Sequence, residues 1–436
     1  MPRILEGFPV SNGMKNFLNK ARLILQDKIL RKRIVFTLTA LVVFRVLSAI
    51  PISGVDHDKL AQFFSGNEFF GLLNIFSGGG LAQLSIVMLG VGPYVTASII
   101  MQLLTIMSPK LKALYQEEGE AGRRKFAQYS RMVTVPLAII QAFSFIKLLQ
   151  SQQVLGELST VAMATDLLVI TAGSMLLMWI GELISEYGIG NGVSLIIFAG
   201  IVATLPAEIA QLKYAFDVSQ IPLYLAFLVI SALVIIGVVI ITEAERPIPI
   251  TYAKQVRGNR VYGGTSTYLP LRINQAGVIP IIFALSILLF PQMILRFLVN
   301  STYAAVASVS TFLLNILANA WFYGIAYFLL VFLFTYFYTA VTFDPDQIST
   351  NLQKNGAFIP GVRPGVSTSG HIARILTRLT LVGAVFLGFV AVIPLIMTGV
   401  TGITAISVGG TSLLIVVSVV IDLIKKIDAQ VSIREY

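Results

Sequence analysis

The chain has no cysteine, only two histidines and only two tryptophans in 436 residues. Without cysteine there is no disulfide, no thiolate nucleophile and no thiolate metal ligand. In a chain with little exported mass, that absence says nothing about redox compartment. The histidines, His57 and His371, are far apart in sequence and lie outside the apolar runs. No glycine-rich loop ends in Gly-Lys-Ser/Thr, so nothing cradles nucleotide phosphates. The run Gly188 to Gly192 lacks a following lysine, joins two apolar stretches and reads as a tight turn. Charge is scarce as well. Charged residues are 12% of the chain and hydrophobic ones 56%, with a mean hydropathy of +0.84; a soluble domain carries about 25% charged residues. A catalytic constellation is missing, so the expectation is a protein that is not an enzyme and uses no cofactor or metal.

What the chain has instead is long apolar runs. A helix needs about 20 apolar residues to cross a bilayer, and such stretches lie near 33–52, 84–107, 132–149, 166–186, 193–212, 222–242, 277–297, 314–343, 375–397 and 405–424. The N-terminus is too polar before its first apolar run for a cleavable signal peptide. Residues 14–30 read either as an amphipathic surface helix or as a positive flank to the first span.

Orientation follows from the cations. Alternate connections hold 26 of the 31 Lys and Arg residues: the N-terminal segment, the loops after the second, sixth and eighth spans, and the tail. Lys and Arg are retained on the cytoplasmic side of short loops, so both termini are expected there, in a cytoplasmic membrane. The net charge of +10 then faces anionic lipid headgroups, and direct reading of nucleic acid is not expected.

Ten spans divide into five and five. An odd number per half makes the second half enter from the opposite face, which permits an inverted repeat about a central site. The chain therefore divides into an N-terminal segment 1–32, a first half 33–212, a second half 213–424 and a tail 425–436. Loops at 108–131, 243–275 and 344–374 exceed what antiparallel neighbours need and suggest docking surfaces. The loop 243–275 has short β-type runs flanking Gly258 and Asn259, which read as a protruding hairpin, with an irregular linker as the competitor. In 344–374, Gly356, Pro360, Gly361, Pro364 and Gly365 favour a shaped, exposed loop over a continuous helix. Residues 69–83 are apolar, too short to span and broken by Gly78, Gly79 and Gly80. They read as a re-entrant half-helix buried in protein or as an interfacial helix.

Ionisable groups inside spans are functional candidates by default. Arg45, Glu182 and Asp422 qualify, and helix-packing or helix-end roles suit all three. Gln102, Asn274 and Gln275 would be costly facing lipid, and are expected to bond across a helix interface weakly enough to let a seam open. A small-solute transporter also fits the five-plus-five topology, but the near absence of midplane carboxylates and the long basic loops weigh against it.

Long blocks of the chain resemble the SecY/Sec61α family of protein-translocation channel subunits: FSGGG (76–80), LGVGPYVTASIIMQLLT (89–105), EEGEAGRRKFAQYSR (117–131), MWIGELISEYGIGNGVSLIIFAGIV (178–202), VYGGTSTYLPLRINQAGVIPIIFA (261–284), NLQKNGAFIPGVRPG (351–365), TRLTLVGA (377–384) and GGTSLLIVVSVVID (409–422). The resemblance implies an all-α polytopic protein with ten transmembrane helices in two inverted halves around a central pore, and a short plug helix.

It also implies residue roles. The pore ring falls on Val91, Val95, Ile197, Ile282 and Ile415, and apolar rings of this kind gate by excluding water. The plug falls on Phe69, Phe70, Leu72, Leu73, Ile75, Phe76, Gly78, Gly79 and Gly80. A lateral gate between the second and third spans and the seventh and eighth carries Gln102 and Asn274. Lys254, Arg260 and Arg363 fall on positions that dock the ATPase SecA or the ribosome. The loop departs from many relatives in having Pro247 after Arg246, Gln255 after Lys254 and Asn259 before Arg260, and so carries fewer cations. SecE, SecG, SecA, the ribosome and preprotein signal sequences are the implied partners. The implied activity is translocation of unfolded preproteins and lateral release of apolar segments.

Overall fold

The computed structural model describes residues 27–52, 74, 77–81, 83–151, 154–156, 158–214, 221–253, 255–257, 260–262, 266–277, 279–299, 303–401 and 404–435. A helix lies in each apolar stretch: α1 (Lys28–Ser48), α2 (Gly92–Met107), α4 (Gly119–Ser151), α5 (Thr160–Tyr187), α6 (Gly192–Tyr214), α7 (Ile221–Glu243), α8 (Ile279–Leu298), α10 (Ala320–Thr342), α12 (Val366–Thr401) and α13 (Thr404–Glu435). Shorter helices α3 (Pro109–Gln116), α9 (Ala304–Ala318) and α11 (Pro345–Lys354) stand between them. Among the described residues, six helices are long and apolar enough to cross a membrane.

Local chemistry sets the helix ends, and in places moves them from the expected limits. Asp27 starts α1 by accepting from the Ile29 and Leu30 amides at 2.8 and 3.3 Å, so the helix begins before residue 33. The stretch expected from 84 is helical only from Gly92. Residues 84–91 turn instead, because Gly90 has φ 58° and Pro93 sits in the first turn of α2, where a missing N–H costs nothing. The expected span 314–343 is broken at Asn319, whose side chain accepts from the Trp321 and Phe322 amides at 3.0 and 3.3 Å and caps α10. The tail from 425 is not a separate element, since α13 runs through it to Glu435.

The long loops are built, not irregular. Strand β1 (Glu245–Tyr252) pairs antiparallel with β4 (Ser266–Arg272), from Glu245 opposite Arg272 to Thr251 opposite Ser266. Between them, β2 (Gln255–Arg257) and β3 (Arg260–Tyr262) pair antiparallel with each other. Pro247 and Pro249 are tolerated because β5 (Ala357–Phe358) pairs with β1 only at Thr251 and Tyr252, leaving the rest of that edge outside any ladder among the described residues. In the loop after α10, glycine and proline confine a helix rather than forbid one. Asp344 caps α11, Pro345 opens it, and Gly356 at φ 66° follows its end. The helical architecture therefore carries a small sheet at one end.

The two halves meet along two lines, α8 against α2 and α4, and α13 against α6. One apolar cluster runs through both halves and includes Phe44, Val91, Ile197, Ile282, Val331 and Ile415. Lipid is as apolar as these side chains, so close approach of small residues carries much of the helix packing. A Cβ on Gly192 would sit 1.8 Å from the Gly181 carbonyl, so α5 and α6 touch backbone to backbone.

Charged residues in the spans do structural work. Arg131 Nε donates to Glu182 Oε1 at 2.8 Å and ties α4 to α5. Lys426 pairs with Asp422 one turn back at 2.7 Å, and Lys425 joins α13 to α7 through Glu243 at 3.0 Å and the Thr242 carbonyl at 2.9 Å. Arg45 donates to Ser48 Oγ at 3.4 Å at the end of its own helix.

Candidate functional site

The five residues assigned to a ring come from four helices or their edges: Val91 and Val95 at the start of α2, Ile197 in α6, Ile282 in α8 and Ile415 in α13. None exceeds 5% exposure, and all five belong to the cluster that joins the halves. Their common character is a branched apolar side chain held where both halves converge. Such a surface excludes water by dewetting, since it offers no hydrogen bond to an ion's hydration shell.

Packed into the same cluster is a tethered excursion of the chain, through Ile52, Leu81 and Leu84. Ile52 N donates to the Leu84 carbonyl and Ile86 N to the Ile50 carbonyl, both at 2.9 Å, so the strands that leave α1 and return to α2 are bridged. Leu84, fully buried, holds φ 43°, the one positive φ at a described residue other than glycine. The returning strand 84–91 is seated on α5. Ser174 Oγ donates to the Gly90 carbonyl at 2.9 Å, and a Cβ on Gly173 would meet the Ile86 carbonyl at 2.1 Å. Of the residues assigned to a plug, Phe69, Phe70, Leu72, Leu73, Ile75 and Phe76 lie outside the described residues. Gly78, Gly79 and Gly80 are buried in a turn in which Ser77 Oγ accepts from the Leu81 amide at 2.9 Å. Gly78 and Gly79 have φ 66° and 83°, which other residues rarely adopt. Gly78 is wedged between the Phe44 ring of α1 and Gly200 of α6.

The contact of α8 with α2 and α4 is a seam with polar groups in it. A cavity of about 50 Å³ opens there, lined by Leu81, Met88, Thr96, Gln141, Ser286 and Phe290 among others. Thr96 and Ser286 give their hydroxyl protons to carbonyls of their own helices, those of Gly92 and Ile282. Gln102 and Asn274 do not bond across the interface as expected. Gln102 Nε2 donates to Ser98 Oγ at 3.3 Å, one turn back on its own helix. Asn274 Nδ2 donates to the Gly277 carbonyl at 3.2 Å, which the turn at Gly277, φ 62°, presents to it. Gln141 was not singled out above, although a glutamine inside an apolar run is the same signal that marks Gln102. Asp166, 5% exposed near the start of α5, is likewise an ionisable group that the span criterion would have found.

At the end of the seam where the sheet lies, a groove of about 480 Å³ separates Thr105 and Lys112 from Phe343, Asp346, Thr377 and Thr380. Beside it the loops after α7 and α10 fuse into one block. Ile248 and Leu271 of the sheet are buried with Ile359, Ile372, Ile375 and Leu376. Arg363 is exposed on this block, and its backbone is fixed: its carbonyl accepts from Thr368 Oγ1 at 2.8 Å, and the neighbouring Val362 amide donates to Ile359. Lys254 and the side chain of Arg260 lie outside the described residues. The fusion of two loops distant in sequence had no local signal in the sequence.

The SecY family model matches residues 85–424. The protein translocase subunit SecY of Streptomyces coelicolor is 40% identical over 423 residues, covering 93% of this chain and 96% of that one. Among solved structures, one described as "The plug domain of the SecY protein stablizes the closed state of the translocation channel and maintains a membrane seal" has a TM-score of 0.65 at 19% identity, with 94% of this chain and 95% of that chain covered. A second, Sec61 in a canine ribosome-channel complex, has a TM-score of 0.62 at 19% identity over the same shares. At such identities the structural matches speak for the fold.

Proposed function

As a member of the SecY family, to which this chain belongs, it is a multi-pass membrane protein, and we propose that it forms the protein-conducting channel through which unfolded preproteins cross the membrane and apolar segments leave sideways into lipid. The family is one of channel subunits rather than enzymes, so the energy for transport comes from a partner. The observation that carries the reading is the ring set: five branched apolar residues drawn from both halves and buried in one cluster. A chain in extension forces such residues apart without breaking any polar bond, and they close behind it.

In this reading Val91, Val95, Ile197, Ile282 and Ile415 form the seal, and residues 69–83 the plug. The seam of α8 with α2 and α4 is the lateral gate, with Gln102 and Asn274 at its polar end. Lys254, Arg260 and Arg363 dock SecA or the ribosome, Arg363 from the fused block. SecE and SecG complete the complex in the cytoplasmic membrane, with both termini and the basic loops on the cytoplasmic side. Support for that side comes from the distribution of Lys and Arg.

The test is SecA- and ATP-dependent protection of a preprotein from protease in vesicles containing this chain with SecE and SecG. Protection is expected. Its absence with a correctly assembled complex would overturn the reading. Deleting residues 69–83 should raise ion leakage through the same complex, and unchanged conductance would remove that segment from the seal.

A further inference from the structure

The excursion between α1 and α2 rejoins its bridged mouth through a corner that is itself costly. Leu84 is fully buried and holds φ 43°, a left-handed conformation that a residue with a side chain rarely adopts. Its neighbour Ser85 is equally buried, and its Oγ has no hydrogen-bond partner among the described residues. A Cβ on Gly80 would sit 2.7 Å from that oxygen, so the glycine turn lies against the hydroxyl and closes it to water. The two sides of the corner are tied to different bodies. The Leu84 amide donates to the Leu81 carbonyl at 3.0 Å and the Ser85 amide to the Gly80 carbonyl at 2.9 Å, which holds the corner to the turn. The Leu84 carbonyl accepts from the Ile52 amide at 2.9 Å, which holds it to the chain leaving α1. The φ torsion of Leu84 lies between its own N–H, bound to the turn, and its own carbonyl, bound to the bridge.

A left-handed leucine and an unpartnered buried hydroxyl each disfavour the structure that holds them, and here both depend on the turn being seated. When the turn leaves, the Leu84 amide is freed, and φ relaxes while the carbonyl stays on Ile52. The space beside Ser85 opens at the same moment, and water satisfies its hydroxyl. We propose that Leu84 and Ser85 form a strained hinge that biases the seated turn toward release. The close packing of Gly78 between Phe44 and Gly200 favours the shut state, and the corner offsets part of it, so the turn is held firmly without being held in a deep minimum. A fold that had only to stay shut would gain from a glycine at 84 and an alanine at 85. This role rests on the channel reading above, in which the turn ends the plug.

The experiment reads how often the turn opens. The chain has no cysteine, so Leu81→Cys places a single thiol in the turn at a position only 2% exposed. Its reaction with a maleimide-polyethylene glycol, followed as a mass shift of this chain, is timed in the resting complex reconstituted with SecE and SecG, without SecA or preprotein, at a temperature where the parent labels measurably. Adding Ser85→Ala should slow labelling several-fold, because only the seated state loses a cost. Unchanged or faster labelling would overturn the hinge. Leu84→Gly and Leu84→Ala both remove the leucine side chain and differ in whether φ 43° is strained. The glycine variant should label several-fold more slowly than the alanine variant, the reverse of the usual order in which glycine loosens a chain. Equal rates would mean that the torsion does not relax on release, and would also overturn it. Ser85→Ala needs no new space and decides the matter should the Leu84 variants fail to assemble. A failure of the channel reading shows separately, as a preprotein left unprotected, and leaves these rates readable.

Discussion

Gly78 and Gly200 pack so closely that a Cβ added to Gly200 would sit 2.0 Å from the Gly78 Cα. From the other side, the Phe44 ring would meet a Cβ on Gly78 at 2.4 Å. The turn that ends the proposed plug is therefore clamped between α1 and α6 with no room for a side chain.

Replacing Gly200 with valine should expel that turn and raise ion conductance of the reconstituted channel in planar bilayers by several-fold. Gly92→Ala is the control, since a Cβ there meets nothing within 4 Å. Equal conductance in the Gly200 variant and the wild type would mean that the clamp does not contribute to the seal.

The ring makes a separate prediction. Ile197 and Ile415 have no measurable exposure, and Ile197→Ser with Ile415→Ser would put hydroxyls where water is excluded. Wetting should follow, read as a higher open probability in single-channel recordings. Val91→Ile and Val95→Ile should act in the opposite sense, lowering whatever leak the wild type has.

On the fused block, Arg363→Glu should abolish SecA-driven translocation while the complex still assembles. Full activity of that variant would exclude this loop from motor engagement. Ile372→Ala attacks the block itself. Ile372 is fully buried between the two loops, and such a truncation costs about 2–5 kcal/mol. Hydrogen exchange should accelerate in β1, β4 and β5 together, with the spans unchanged.

The ion pair between Arg131 and Glu182 leads to an expected small effect. Arg131 is 45% exposed and Glu182 21%, and exposed pairs contribute about 0.2–1 kcal/mol. Glu182→Gln should leave translocation intact and lower the melting temperature in detergent only slightly. A large loss of transport would give Glu182 a functional role instead.

The apolar stretches were legible because each repeats one strong signal over many residues, but their limits were set by single capping side chains and a left-handed glycine that this signal does not carry. Single polar residues were harder to place. Asn319 disappears into its apolar surroundings when hydropathy is averaged, yet its side chain has two amides to cap and splits α9 from α10. Gln102 and Asn274 were recognisable as costly in lipid, but their partners depended on Ser98 at one turn's spacing and on a left-handed Gly277, and sequence leaves such choices open. The joining of Ile248 and Leu271 with Ile372 and Ile375 is tertiary, and the periodicity within each loop carries no trace of it. For the ring, the resemblance supplied the assignment and the fold supplied the meeting place.

The two hydrogen bonds that bridge Ile50–Ile52 with Leu84–Ile86 give the excursion between them the character of a drawn purse. Its mouth is fixed by the bridge, so its contents can change without moving α1 relative to α2. Closing a longer loop across the same mouth costs only about 0.6 kcal/mol for each doubling of its length. The length of chain between Ile52 and the clamped turn at Gly78 can thus vary at little cost, while the helices on either side keep their places in the membrane.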